Sequence, residues 1–211
     1  MRTLIKNGLV YDGSGGTPFR KDVLIKDGFI EAVTESAEAY GMEMTRAEAS
    51  GAEAAAAEVI DASGLVVTPG FIDTHRHCDI DALYNPEFGR LEMAQGLTTV
   101  IGGNCGLAPI PAPKQYRRDI YDFIEPCLGI APEEMAIERF GDYLEELGKR
   151  ELPLHVGSLL ATGTLKAAIK GYGKGPFTRQ EMDQAKAYIR EGLEAGAAGL
   201  SMGIMYQPEC Y

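Results

Sequence analysis

The chain has 211 residues, of which 45% are hydrophobic and 24% are charged. This composition is typical of a globular protein, and the length is enough for one substantial core or for one core with a small attached domain. The formal net charge of -11 argues against a protein that binds nucleic acid or anionic membranes, because both partners are themselves negatively charged.

Neither export nor membrane insertion is indicated. The opening residues MRTLIKNG lack the apolar segment of a signal peptide, and no apolar stretch reaches the length of a membrane span. The cysteines are irregularly spaced, so the sequence does not predict a disulfide framework. We therefore expect a cytoplasmic protein. The cysteines are Cys78, Cys105, Cys127 and Cys210.

Short apolar runs alternate with turn residues over residues 1–33. Asp27-Gly28 lies between two of these runs, and this dipeptide in that setting is a strong β-hairpin signal. The segment therefore predicts a small antiparallel sheet. Residues 34–58 are rich in Ala and Glu, and we interpret them as a surface helix or an insertion that carries no chemistry.

An H-x-H pair ends the apolar stretch at residues 67–77. In a strand, side chains alternate between faces, so His75 and His77 are expected to point the same way and to converge on one point, as a metal site requires. An H-x-H pair without context is more often incidental. Here the chain has 3 histidines in all, and two of them follow a predicted buried strand.

A glycine-rich loop follows the next predicted strand. Residues 97–101, LTTVI, are apolar and β-branched, and the sequence GGNCG comes directly after them. Most isolated cysteines are small core residues. A cysteine in a glycine loop at a strand exit fits a core less well, and as a thiolate it is a strong zinc ligand. Cys105 is therefore a candidate ligand beside the histidine pair.

The alternation of strands and helices continues to the end of the chain. Residues 153–160 predict a third strand, and a capping box at Thr178 opens a helix. His155 lies near the start of its strand, and we interpret it as structural.

Two of these stretches resemble a known family. The run PGFIDTHRH at residues 69–77 resembles the first barrel strand of the amidohydrolase superfamily, which implies that His75 and His77 bind metal. Residues 95–106 are similar to the N-acyl-D-amino-acid deacylases, or D-aminoacylases, in which a cysteine after the second strand ligates zinc. That similarity implies Cys105 as a ligand and zinc as the cofactor. Dihydroorotases and hydantoinases share the histidine pair but commonly use a carboxylated lysine instead of this cysteine.

The resemblance implies an α/β fold with two parts. Residues 65–211 are expected to form the N-terminal half of a (β/α)8 TIM-type barrel, as the first four β/α units. Residues 1–64 are expected to form a small antiparallel β-sandwich segment that carries the insertion at 34–58. The barrel part is shorter than the about 250 residues of a typical complete barrel.

The implied activity is the zinc-dependent hydrolysis of N-acyl-D-amino acids to a carboxylate and a D-amino acid. Ser201 and Tyr206, in a segment similar to the fourth strand and loop of the deacylases, are implied as substrate-binding residues, although packing explains Tyr206 equally well. Some relatives carry His where this chain has Thr162, so a polar role at that loop stays open. The catalytic base, an aspartate in the family, is expected beyond the end of this chain.

Two further readings stay open at this point. One is an amidohydrolase that acts on cyclic amides, of the dihydroorotase or hydantoinase type, with its thiol remote from the metal. The other is a non-catalytic amidohydrolase-like protein that functions by assembly. For the 211-residue chain alone we expect no deacylase activity, and we expect self-association through its open barrel edges.

Overall fold

A computed structural model describes residues 2–36 and 58–210. The chain divides into two compact units, Met1–Pro69 and Gly70–Tyr211. Most of the predicted insertion at 34–58 lies outside the described residues. The domain boundary predicted between residues 64 and 65 stays a prediction. No helix in the described part of the chain is both long and apolar enough to cross a membrane.

The first unit contains seven described strands, which form two small sheets. The strands are β1 (Arg2–Lys6), β2 (Leu9–Val10), β3 (Phe19–Arg20), β4 (Asp22–Lys26), β5 (Phe29–Thr34), β6 (Glu58–Asp61) and β7 (Val66–Val67). The sheets have the orders β5-β4-β1-β6 and β3-β2-β7. The predicted hairpin is confirmed, because β4 and β5 pair antiparallel around Asp27 and Gly28, both of which have positive φ.

The strands within residues 1–33 pair antiparallel, as the sequence predicted, but strands from later in the chain make both sheets mixed. β6 runs parallel to β1, and β7 runs parallel to β2. Two-residue hairpins impose antiparallel pairing, but β6 returns after a long connection, which leaves its direction free. The prediction was made from the hairpins alone and therefore missed the parallel pairs.

The second unit alternates strands and helices. Its elements are β8 (Phe71–Asp73), α1 (Asp81–Tyr84), α2 (Arg90–Ala94), β9 (Leu97–Gly102), α3 (Arg117–Leu128), α4 (Phe140–Gly148), β10 (His155–Ser158), β11 (Leu160–Ala161), α5 (Thr162–Lys170), α6 (Arg179–Ala195) and β12 (Leu200–Ser201). The parallel sheet has the order β10-β9-β8, and β11 pairs parallel with β12. Parallel strands separated by helices confirm the α/β class.

The core of this unit lies between β9 and the helices. Val100 of β9 is completely buried, and so are Ile120 of α3 and Tyr143 of α4. The predicted capping box is also present, since Thr178 and Glu181 exchange hydrogen bonds at the start of α6.

Strand β8 ends earlier than the sequence predicted. It stops at Asp73, so His75 and His77 lie in the loop that follows and not on one face of a strand. Asp73 Oδ1 accepts a hydrogen bond of 3.0 Å from the backbone N–H of His75, and such a side-chain turn competes with continued strand pairing. The alternation argument for the histidine pair was therefore wrong, although both side chains remain at the carboxyl end of β8.

Candidate metal centre

The loops after β8 and β9 lie side by side, because the carboxyl ends of neighbouring parallel strands meet at one edge of a sheet. The first loop carries His75 and His77, and the second carries Cys105. The ligand atoms of these three residues all lie within 4.8 Å of one another, and His75 Nε2 is 3.1 Å from Cys105 Sγ. Two ligand atoms of one tetrahedral zinc ion are roughly 3.5 Å apart, so the spacing suits a common ion.

His77 offers a buried ring nitrogen as a ligand. Its Nδ1 is buried and has no hydrogen-bond partner among the described residues. Burial lowers the pKa of His77, and the neighbouring His75 lowers it further, so the neutral imidazole is favoured. A neutral imidazole is the form that binds metal. Two imidazoles and one thiol, with this orphaned nitrogen, fit zinc.

The backbone at Cys105 is strained. The residue has φ of +58°, in the left-handed region that costs a non-glycine residue roughly 1–2 kcal/mol. We call residues 103–106 the cysteine loop. Such strain persists only where surrounding contacts hold the backbone in place.

One of those contacts comes from Asp79, which the sequence analysis did not single out. The side chain is completely buried, and its Oδ1 accepts a hydrogen bond of 2.7 Å from the backbone N–H of Gly103. Burial raises the pKa of Asp79 to about 7. The backbone carbonyl of Asp79 accepts a hydrogen bond of 3.0 Å from the Tyr143 hydroxyl. Asp79 thus ties the loop of the histidines to the cysteine loop. Only its place two residues after His77 could have drawn attention to it.

We expect Asp79→Ala to be about 1–3 kcal/mol less stable than Asp79→Asn, because alanine leaves the buried N–H of Gly103 without an acceptor. Asparagine keeps an oxygen at the same place. Both replacements are neutral, so the comparison does not depend on the ionisation of Asp79. Urea denaturation of the two variants measures the difference, and equal stabilities would show that the hydrogen bond to Gly103 contributes nothing.

Ser201 and Tyr206 reach the cysteine loop from the end of β12. The Ser201 hydroxyl accepts a hydrogen bond of 3.0 Å from Gly106 N–H, and the Tyr206 hydroxyl donates to the carbonyl of Cys105. Burial raises the pKa of Tyr206 to about 12, so this hydroxyl is a donor at neutral pH. Contact of Ser201 and Tyr206 with substrate stays a prediction.

Glu209 is a second residue that the sequence analysis missed. Its Oε2 accepts a hydrogen bond of 2.6 Å from Gly203 N–H, and its Oε1 accepts one from the Thr162 hydroxyl. Thr162, whose role the sequence left open, therefore holds the loop that follows β12. Glu209 thus connects the loop after β12 to the first residue of α5, and the sequence alone gives no indication of that contact.

Comparison with known proteins identifies the family. Residues 58–208, which are more than half of the chain, match the group described as "Amidohydrolase family". The chain belongs to the amidohydrolase family. Among curated relatives, it is 32% identical over 205 residues to an N-acyl-D-aspartate deacylase of Alcaligenes xylosoxydans xylosoxydans, an alignment that covers 97% of this chain and 37% of the relative.

Solved amidohydrolase structures agree with this assignment. An N-acyl-D-glutamate deacylase from Bordetella bronchiseptica, complexed with zinc and a phosphonate inhibitor, superposes with a TM-score of 0.75 and 28% identity over 99% of this chain and 39% of that one. A D-aminoacylase with a binuclear metal centre gives a TM-score of 0.76 and 28% identity over 99% and 40%. The chain therefore spans less than half the length of these relatives.

Proposed function

We propose that the protein is a zinc-dependent deacylase, which hydrolyses the amide bond of N-acyl-D-amino acids to a carboxylate and a D-amino acid. The observation that carries the proposal is the convergence of His75, His77 and Cys105 within 4.8 Å. A relative that is 32% identical to this chain is an N-acyl-D-aspartate deacylase, and a structural neighbour, an N-acyl-D-glutamate deacylase, is complexed with zinc. In this proposal, the second unit forms the first part of a (β/α)8 barrel whose strand ends carry the site.

The residues of the chain suit this chemistry. The imidazoles of His75 and His77 and the thiolate of Cys105 would hold the ion, and only the thiolate contributes a negative charge. A zinc ion held by these residues would supply Lewis-acid chemistry for the polarisation of an amide carbonyl and the activation of water. The closeness of Cys105 to His75, at 3.1 Å, favours a deacylase over the cyclic-amide enzymes considered above, for which the thiol was expected to lie far from the metal.

The test is hydrolysis of paired enantiomers by the full-length gene product, with the 211-residue chain assayed beside it. N-acetyl-D-aspartate, N-acetyl-D-glutamate and N-acetyl-D-leucine, each with its L enantiomer, form the panel, together with hydantoin and dihydroorotate. We expect the full-length product to release D-amino acids and no L-amino acids, to lose this activity when zinc is chelated, and to recover it when zinc is added back. For the 211-residue chain alone we expect no hydrolysis. Turnover of the cyclic amides without the acyl amino acids would overturn the deacylase assignment.

A further inference from the structure

Two hydroxyl groups from the end of β12 bind the backbone on both sides of the candidate thiol ligand. Ser201 accepts a hydrogen bond from Gly106 N–H and donates one to the carbonyl of Gly103, so one hydroxyl joins the two ends of the cysteine loop. Tyr206 donates to the carbonyl of Cys105 itself. These contacts span 95 to 101 positions along the chain.

The loop after β12 and the cysteine loop also lie so close that their backbones are in contact. A Cβ atom added at Gly203 would lie 2.2 Å from the carbonyl oxygen of Cys105 and 2.5 Å from the Tyr206 hydroxyl. Real Cβ atoms do not come so close to other heavy atoms, so only glycine fits this position. The loop after β12 is therefore packed directly against the peptide group that carries the thiol.

The Ser201 and Tyr206 hydroxyls bind the backbone of the cysteine loop, and the Tyr206 hydroxyl also interacts with the side chain of Cys105. Both hold the peptide groups that set the direction of the Cys105 side chain, in a left-handed conformation that an unrestrained cysteine disfavours. That direction places Sγ 3.1 Å from His75 Nε2. Without these hydroxyls, the cysteine loop could relax towards ordinary backbone angles and carry the thiol away from the histidines.

We propose that Ser201 and Tyr206 are positioning residues, which hold the Cys105 thiol where it meets the ion bound by the two histidines. The inference rests on the proposed function, since it requires a metal at this site. Partners that orient a metal ligand typically contribute 10- to 100-fold in metal affinity, and we expect a loss of roughly 10- to 100-fold when either hydroxyl is removed.

The experiment is a titration of the metal-free 211-residue chain with Co²⁺. Binding is measured by the thiolate-to-cobalt charge-transfer absorption. Ser201→Ala and Tyr206→Phe should weaken Co²⁺ binding and reduce this band relative to the wild-type chain. Ser201→Thr keeps a hydroxyl and should restore both. A purely structural role would lower the unfolding midpoint but would leave the affinity and the band of the folded protein unchanged. Tyr206→Phe removes one oxygen and keeps the ring, so it tests the proposal even if Ser201→Ala fails to fold.

Two matched replacements serve as controls. Tyr188→Phe changes a half-buried tyrosine of α6. Ser158→Ala changes a buried serine at the end of β10 whose hydroxyl donates to the adjacent carbonyl of Leu159. Both should bind Co²⁺ like the wild type. If Ser201→Ala and Tyr206→Phe also stay within about twofold of the wild type, the positioning role is overturned and the deacylase proposal stands. If the wild-type chain shows no thiolate band, Cys105 is not a metal ligand, and this result contradicts the metal site of the proposed function as well as the positioning role.

Discussion

Replacement of Cys105 by alanine is expected to lower the zinc affinity of the chain by more than about 100-fold, since even partners that only orient a ligand contribute 10- to 100-fold. The thiolate is the one anionic donor of the three, and its sulfur lies 3.1 Å from His75 Nε2. Its removal leaves two neutral imidazoles, which hold zinc weakly. Competition between the protein and a chromophoric chelator measures the two dissociation constants.

Cys127→Ala is the control for this measurement. Cys127 is a free and exposed cysteine in α3, outside the group of converging ligands. Its loss should leave the zinc affinity unchanged. If Cys105→Ala binds zinc as tightly as the wild type, or if Cys127→Ala loses as much affinity, then zinc is held elsewhere and the proposed centre is wrong.

Gly103→Ala should produce the largest loss of stability among the changes considered, about 2–5 kcal/mol from a left-handed backbone and an overpacked contact together. Gly103 has φ of +70°, and a Cβ atom there would lie 2.1 Å from the backbone oxygen of Leu159. That oxygen is a main-chain atom, so it cannot rotate away as a side-chain atom would. Urea denaturation followed by circular dichroism gives the free energy of unfolding.

Gly175→Ala separates the two contributions. Gly175 also has positive φ, at +91°, but a Cβ atom there would meet nothing within 4 Å. The free energy of unfolding of Gly175→Ala should therefore fall only by the cost of the left-handed conformation, about 1–2 kcal/mol. Equal losses in the two variants would show that the contact of residue 103 with Leu159 relaxes freely, and that the cysteine loop is less tightly held than the structure indicates.

The sequence predicted which residues meet at the candidate centre, although one of its reasons was wrong. His75 and His77 follow one strand and Cys105 follows the next along the chain, and a parallel arrangement of successive strands brings such loops together. This argument needs only the order of the elements. It therefore holds although β8 ends at Asp73, whereas the argument from alternating faces requires the strand to continue through His77.

The residues that support the centre could not be predicted in the same way. Asp79 and Ser201 act through hydrogen bonds to peptide groups that are distant in sequence, and peptide groups are identical at every position. Glu209 binds the Thr162 hydroxyl, which is 47 positions away. A serine that joins both ends of a loop has no sequence pattern of its own. The direction of β6 was missed for a related reason, since pairing after a long connection depends on the whole sheet.

The left-handed backbone at Cys105 has an evolutionary consequence. Glycine adopts this conformation without strain, and its codons are one base away from those of cysteine. A change to glycine would remove the thiol and relieve the backbone in one step, so selection for stability alone favours loss of the cysteine. The thiol persists in a lineage only while selection acts on what it binds. A homologue with glycine at this position would thus have lost the ligand while retaining the fold.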